Sequence, residues 1–159
     1  MKKITIDGKE YTITFSIAAS LYNECTESIM DSFVAGGMIQ EAAESKNIDG
    51  ATKRFVSTIA NIPQKACVLF YAGLLENHGA DYGDGSVPTL KDATKLLAKY
   101  LKEHKDDNNG DGMSFYDVMT EMMEQIAEDN FFDMIGLNKV MGGLTEKKAK
   151  RSRKKAGEE

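Results

Sequence analysis

The chain has 159 residues, 42% of them apolar and 28% charged, with no Trp and two Pro. That is enough for one domain with a real core, and no apolar run approaches the ~18 residues that a membrane span needs. The net charge of −5 conceals an acidic body with a basic end: 147-KKAKRSRKK-155 carries seven Lys and Arg and no acid, and the remainder has 13 basic against 25 acidic residues, a net of −12.

The N-terminus alternates polar and apolar residues and lacks the continuous apolar core of a signal peptide, so the expected compartment is the cytoplasm. Residues 3–15 read as a β-hairpin. Ile4 and Ile6 alternate with polar residues, Asp7-Gly8 supplies a tight turn, and Tyr11, Ile13 and Phe15 alternate again. That turn sets Ile4 opposite Tyr11 and gathers the apolar residues on one face. A lone hairpin is marginal in water, so this face must pack on a later part of the chain.

The rest of the chain reads as helical. Ser16 can cap a helix carrying Ile17, Leu21, Cys25, Ile29 and Phe33, an i, i+4 stripe, with a break at Gly36-Gly37. A weaker helix is expected near 38–45. Asp49 can cap another through Phe55, Val56 and Ile59. Pro63 fits the first turn of a helix through Ala66, Cys67, Phe70, Leu74 and Leu75. Its run 66-ACVLFYAGLL-75 is apolar nearly all round, which predicts a place at the centre of the core. Cys25 and Cys67 have no CxxC partner and read as reduced, buried thiols.

A Gly- and Asp-rich loop, 77–88, separates this helix from the next. Thr89 and Asp92 form a T-x-x-D box opening a helix through Ala93, Leu96, Leu97, Tyr100 and Leu101. Ser114 and Asp117 form a second box, opening a helix through Val118, Met122 and Ile126 that should reach Phe131-Phe132. A short helix from Met134 to Val140 should stop at Gly142-Gly143. The predicted fold class is mainly α: an N-terminal β-hairpin packed on a bundle of about five to six helices. Residues 1–143 form one globular domain, and 144–159 form a disordered, basic, flexible tail.

Between the last two long helices lies 106-DDNNGDGMSFYDV-118, which resembles a calcium loop. Asp107, Asn109, Asp111 and Gly112 fall at positions 1, 3, 5 and 6 of an EF-hand. Position 8 is Ser114 rather than an aliphatic residue, and position 12 is Val118, which has no oxygen to offer. The balance favours a solvated turn, with Asn, Asp and Gly supplying reversals and Ser114 capping the next helix. His78 and His104 lie near helix ends without a second ligand at metal spacing. There is no G-x-S-x-G, P-loop or H-E-x-x-H. The residues point to no enzyme, no cofactor and no resident metal.

Six of the nine methionines lie between Met113 and Met141. Met119, Met122, Met123 and Ile126 would line one strip of a helix. Core packing is the commoner reason for such a strip. Methionine also suits surfaces that accept varied apolar partners, including another helix. The basic tail has three readings: a solvated end, an electrostatic contact to nucleic acid, or a joint to something longer. It has no aromatic residues to stack on bases, and the acidic body argues against nucleic acid.

The opening KITIDGKEYTITFSIAASLYNE, the later 126-IAEDNFFDMIGL-137 and the Lys-rich end together resemble the tail assembly chaperones of siphophages and prophages of Gram-positive bacteria. The resemblance covers most of the chain in layout, apart from the 79–89 and 107–118 loops. It implies a non-enzymatic assembly factor of the host bacterial cytoplasm, absent from the mature virion. Such a factor coats the long helical tape-measure protein and helps recruit tail-tube protein subunits. In that family a frameshifted longer product engages the tube protein, and a homo-oligomer suits a coating role. On this reading the partner-binding strip would be Met119, Met122, Met123 and Phe131. The rival readings are a helical calcium-binding protein using 107–118 and a nucleic-acid-binding phage protein using the tail.

Overall fold

The computed structural model describes residues 1–32, 56–57, 59–106 and 111–139. The protein is mainly helical and begins with an antiparallel hairpin of β1 (Lys2–Ile6) and β2 (Lys9–Ile13). Next come α1 (Ile17–Ser20), α2 (23–32), α3 (Ile62–His78), α4 (Leu90–Glu103), α5 (Phe115–Glu128) and α6 (Phe131–Met134). Residues 56–57, 59–60 and 137–139 are also helical.

The hairpin forms as its residues dictate. Asp7 and Gly8 have φ of +50° and +73°, the pair of left-handed residues that a two-residue turn matching strand twist requires. Ile4 pairs with Tyr11, and Ile4, Ile6, Tyr11 and Ile13 are buried together. Their shared face lies on α3, which runs through the core with Ala66, Leu69, Phe70, Ala72 and Leu74 fully buried. Pro63 stands in its first turn, where a missing N–H costs nothing. Each large apolar side chain buried this way contributes about 1.5–3 kcal/mol.

The approach of hairpin to helix is close. A Cβ on Gly73 would lie 2.6 Å from Ile13 Cγ2. The outer edge of β2 is then satisfied by α3. Thr14 N–H donates to the Gly73 carbonyl at 2.8 Å, and Thr12 N–H to His78 Nε2 at 3.0 Å. Asn77 Nδ2 donates to the Thr12 carbonyl and to Thr14 Oγ1. Helix α4 covers the hairpin from another side with Ala93, Leu97 and Tyr100, and α5 closes the core with Val118, Met122 and Ile126.

Three helix boundaries differ from the sequence expectation. The stripe from Ile17 to Ile29 does not lie on one helix. Ser16 does cap, its hydroxyl accepting from Ala18 N–H, but α1 ends after four residues. Tight bonds from Tyr22 N–H to the Ala19 carbonyl and from Cys25 N–H to the Tyr22 carbonyl turn the chain into α2. Ile17 and Leu21 are 65% and 63% exposed, whereas Ala18 and Ala19 face the core. The cause is tertiary: Ser16 Oγ donates to Glu76 Oε2 and Phe15 N–H donates to Asp129 Oδ2, which fixes how α1 meets α3. At the other end α5 stops at Glu128, before Phe131. Asn130 is left-handed at φ +53°, which Asn tolerates better than most residues. The segment expected as one helix from Met134 is likewise divided, by Gly136 at φ +76°.

Some expectations lie outside the described residues. These are Phe33, the Gly36-Gly37 break, the helix at 38–45, Asp49 and Phe55, the Asp107 and Asn109 positions, and everything from Val140 through the 144–159 tail.

Candidate partner-binding surface

Helix α5 carries the residues singled out from the sequence. Ser114 and Asp117 form the reciprocal capping box that starts it: the Ser114 hydroxyl accepts from Asp117 N–H, and the Asp117 carboxylate accepts from Ser114 N–H at 2.8 Å. The Ser114 hydroxyl also donates to the Asp117 carboxylate at 2.6 Å, and this bond, followed by that from Ser114 N–H, holds the Asp117 carboxyl below its usual range. The T-x-x-D box of α4 is one-sided. Thr89 accepts from Asp92 N–H, but its hydroxyl, not its backbone, donates to the Asp92 carboxylate.

The four-residue strip divides. Met122 is 1% exposed and Phe131 is fully buried, with its ring edge-on to Phe15 at 5.8 Å. Both are core residues and present nothing to a partner. The physical reason is helical phase: Met122 shares its face with Val118, Gln125 and Ile126. Met119 and Met123 lie on one flank of that face, half-buried against the core. Beside them Tyr116 is 59% exposed.

The opposite flank of α5 is acidic. Asp117, Glu121 and Glu124 border a cleft of about 270 Å³ that also includes Tyr100, His104 and Met113. A second hollow of about 260 Å³ lies beside it, bordered by Lys2, Glu121, Glu124 and Glu128. Glu121 Oε2 is a buried atom with no hydrogen bond of normal geometry among the described residues. It is nevertheless compensated by the Lys2 ammonium at 2.9 Å.

The histidines have structural partners. His78 is buried in the last turn of α3. Its Nε2 accepts from Thr12, so its proton sits on Nδ1, facing Ser86 Oγ at 3.2 Å and Asp84 Oδ1 at 3.4 Å. His104 Nδ1–H donates to the Tyr100 carbonyl at 2.9 Å. In the loop before α5, Gly112 has φ +71°, and a Cβ there would sit 2.6 Å from the Lys105 carbonyl oxygen. Met113 N–H then donates to the His104 carbonyl. A glycine is needed to fold this loop back on α4, whatever the loop binds. Among the described residues no group of three or more His, Cys, Asp or Glu could hold a metal ion. No described helix is long and apolar enough to cross a membrane.

Sequence reading missed Asp129. It sits at the C-terminal end of α5, where its carboxylate accepts from Phe15 N–H at 2.8 Å, from Gln125 Nε2 at 2.9 Å and from the Met1 amino group at 2.7 Å. The pair Asp129-Asn130, polar and tolerant of left-handed backbone, was the available signal for a break there. Cys25 is fully buried, whereas Cys67, expected to be buried, is only partly so. The Cys25 thiol is pushed up to about 12, and Cys67 is also raised by burial, with a bond to Thr94 offsetting part of the effect. Compared with family models, curated proteins and solved structures, the chain has no match.

Proposed function

We propose that this protein is a non-enzymatic phage tail assembly chaperone that keeps a tape-measure protein soluble while tail-tube subunits are recruited. The observation that carries the reading is the resemblance of the opening hairpin-to-helix segment and of 126–137 to that family. The apolar side chains left outside the core suit it. Met119 and Met123 flank α5 beside exposed Tyr116, and Ile17, Leu21, Val56 and Ile59 are each about half exposed or more. A long amphipathic helix kept in solution needs adaptable apolar contacts that can later be stripped away, and methionine supplies them. The acidic body, at −12 without the basic segment, discourages non-specific aggregation of the loaded complex.

The contact surface in this reading is Met119, Met123 and Tyr116, with Met122 and Phe131 holding α5 in place from inside. The test is co-expression with the tape-measure protein encoded in the neighbouring genes, followed by pull-down and a solubility assay. A soluble complex that weakens in the Met119→Lys/Met123→Lys variant, with the variant's own folding intact, is the expected result. A tape measure that precipitates equally with and without this chain overturns the reading.

A further inference from the structure

The hairpin has two outer edges, and they are treated differently. A two-residue turn makes Ile6·Lys9, Ile4·Tyr11 and Lys2·Ile13 the hydrogen-bonded pairs. The main chain of Thr12 therefore points outward from β2, where His78 and Asn77 satisfy it. By the same alternation the N–H and C=O groups of Lys3 and Thr5 point outward from β1. Among the described residues, no hydrogen bond joins their main chain to anything beyond the hairpin. Both residues are exposed. An edge in this state is a template for one more strand.

We propose that β1 is a self-association edge: two copies pair β1 to β1, antiparallel about a two-fold axis at Ile4, making a four-stranded sheet. The occupant is a second copy because Lys3 and Thr5, the two residues with outward main-chain groups, lie symmetrically about Ile4 and satisfy each other across a two-fold axis; charge selects the register. Centred on Ile4, the Lys3 amide and carbonyl meet those of the copy's Thr5, and Lys2 faces the copy's Ile6. No like charges are opposed. Centring on Lys3 would set Lys3 against its own copy, which is unfavourable. Centring on Thr5 would require Asp7 to join the ladder, but Asp7 turns away at φ +50° and its N–H already donates to Glu103 Oε1 at 2.8 Å. Lysines often blunt sheet edges. Here they are neutralised in place, Lys2 by Glu121 at 2.9 Å and Lys3 by Glu10 at 2.8 Å. Two-fold pairing is self-complementary and closes, so it yields a dimer rather than a fibre. The inference rests on the hairpin alone and does not depend on the chaperone reading.

The test uses the full chain, with sedimentation velocity over a concentration series and residue-resolved amide exchange. A dimer is expected, with the Lys3 and Thr5 amides slowing as concentration rises. Thr5→Lys sets Lys against Lys3 of the copy, and its dissociation constant should rise about tenfold or more. Lys3→Glu/Thr5→Lys restores an attractive pair and should restore association. Thr5→Pro removes an outward N–H without touching the bonds to β2 and should also give a monomer. If that variant misfolds, the Lys series decides. A chain that is monomeric at every concentration overturns the proposal, whether or not those amides are protected. A dimer indifferent to Thr5→Lys overturns it as well, because another surface would then be responsible.

Discussion

Gly73→Ala is the sharpest test of how the hairpin sits on α3. Inside a helix, alanine for glycine is worth about 1 kcal/mol of added stability, so propensity alone expects a gain. The structure expects a loss. The new methyl would lie 2.6 Å from Ile13 Cγ2 and 3.4 Å from the Phe15 ring, both in the core with almost no exposure. Neither neighbour can swing into solvent. Relief requires the hairpin to lift from the helix, which also stretches the 2.8 Å bond from Thr14 N–H to the Gly73 carbonyl. Overpacking costs about 1–3 kcal/mol, and a strained hydrogen bond adds up to about 1 kcal/mol. The net expectation is a destabilisation of about 1–2 kcal/mol, read as a lower urea midpoint at unchanged slope and a Tm lower by about 2–8 °C for a chain of this size. Ile13→Leu removes the Cγ2 branch at nearly constant volume. In that background Gly73→Ala should cost less, and the double-mutant cycle isolates the contact. A Gly73→Ala variant that is more stable than the parent in both backgrounds would refute the reasoning.

His78→Ala leaves the Thr12 N–H without an acceptor at a part-buried site, a loss of about 1–3 kcal/mol; faster amide exchange at Thr12 is the specific readout, and unchanged exchange would contradict the bond. The Asp84 carboxyl is lowered from 3.8 to about 2, chiefly by the hydroxyl and N–H of Ser86, with His78 adding a smaller share. A depressed folded-state value means that its contribution is present above the unfolded value and is lost as pH falls through about 2. A carboxyl titration by NMR should show this, with the Ser86→Ala midpoint moving up toward the ordinary range. The Cys25 thiol, raised to about 12 by burial, should resist a neutral-pH thiol reagent in the folded chain and react only on unfolding; prompt labelling would mean that α2 is not seated as described.

Local chemistry made much of this fold legible. The Asp7-Gly8 turn, the period-2 alternation around it, Pro63 at a helix start and the Ser114–Asp117 box are each decided within a few residues. They appear in the structure where the sequence sets them. The run around Phe70 is apolar nearly all round, and such a helix lies largely inside, with Cys67, Tyr71 and Leu75 only partly buried. The departures have a common source. The Ile17–Leu21–Cys25–Ile29 spacing is helical, but spacing does not say which helix, or which face turns inward. The Met119–Met122–Met123 group reads as one strip, although the helix splits it between core and flank.

By itself the sequence determined the hairpin and its turn, the Ser16, Thr89 and Ser114 caps and the identity of the central helix, because those depend on backbone preferences and on period. Only the tertiary structure decided that α1 breaks off at Ser20, that α5 stops before Asn130, and that Met122 and Phe131 lie within the core. It also decided that one hairpin edge is closed by His78 and Asn77 while the other has no hydrogen-bonded partner among the described residues. The course of α1 and the closure of the β2 edge depend on bonds between residues far apart in the chain: Phe15 with Asp129, Ser16 with Glu76, Thr12 with His78. Periodicity records which residues avoid water, but it does not record which distant partner fixes their orientation.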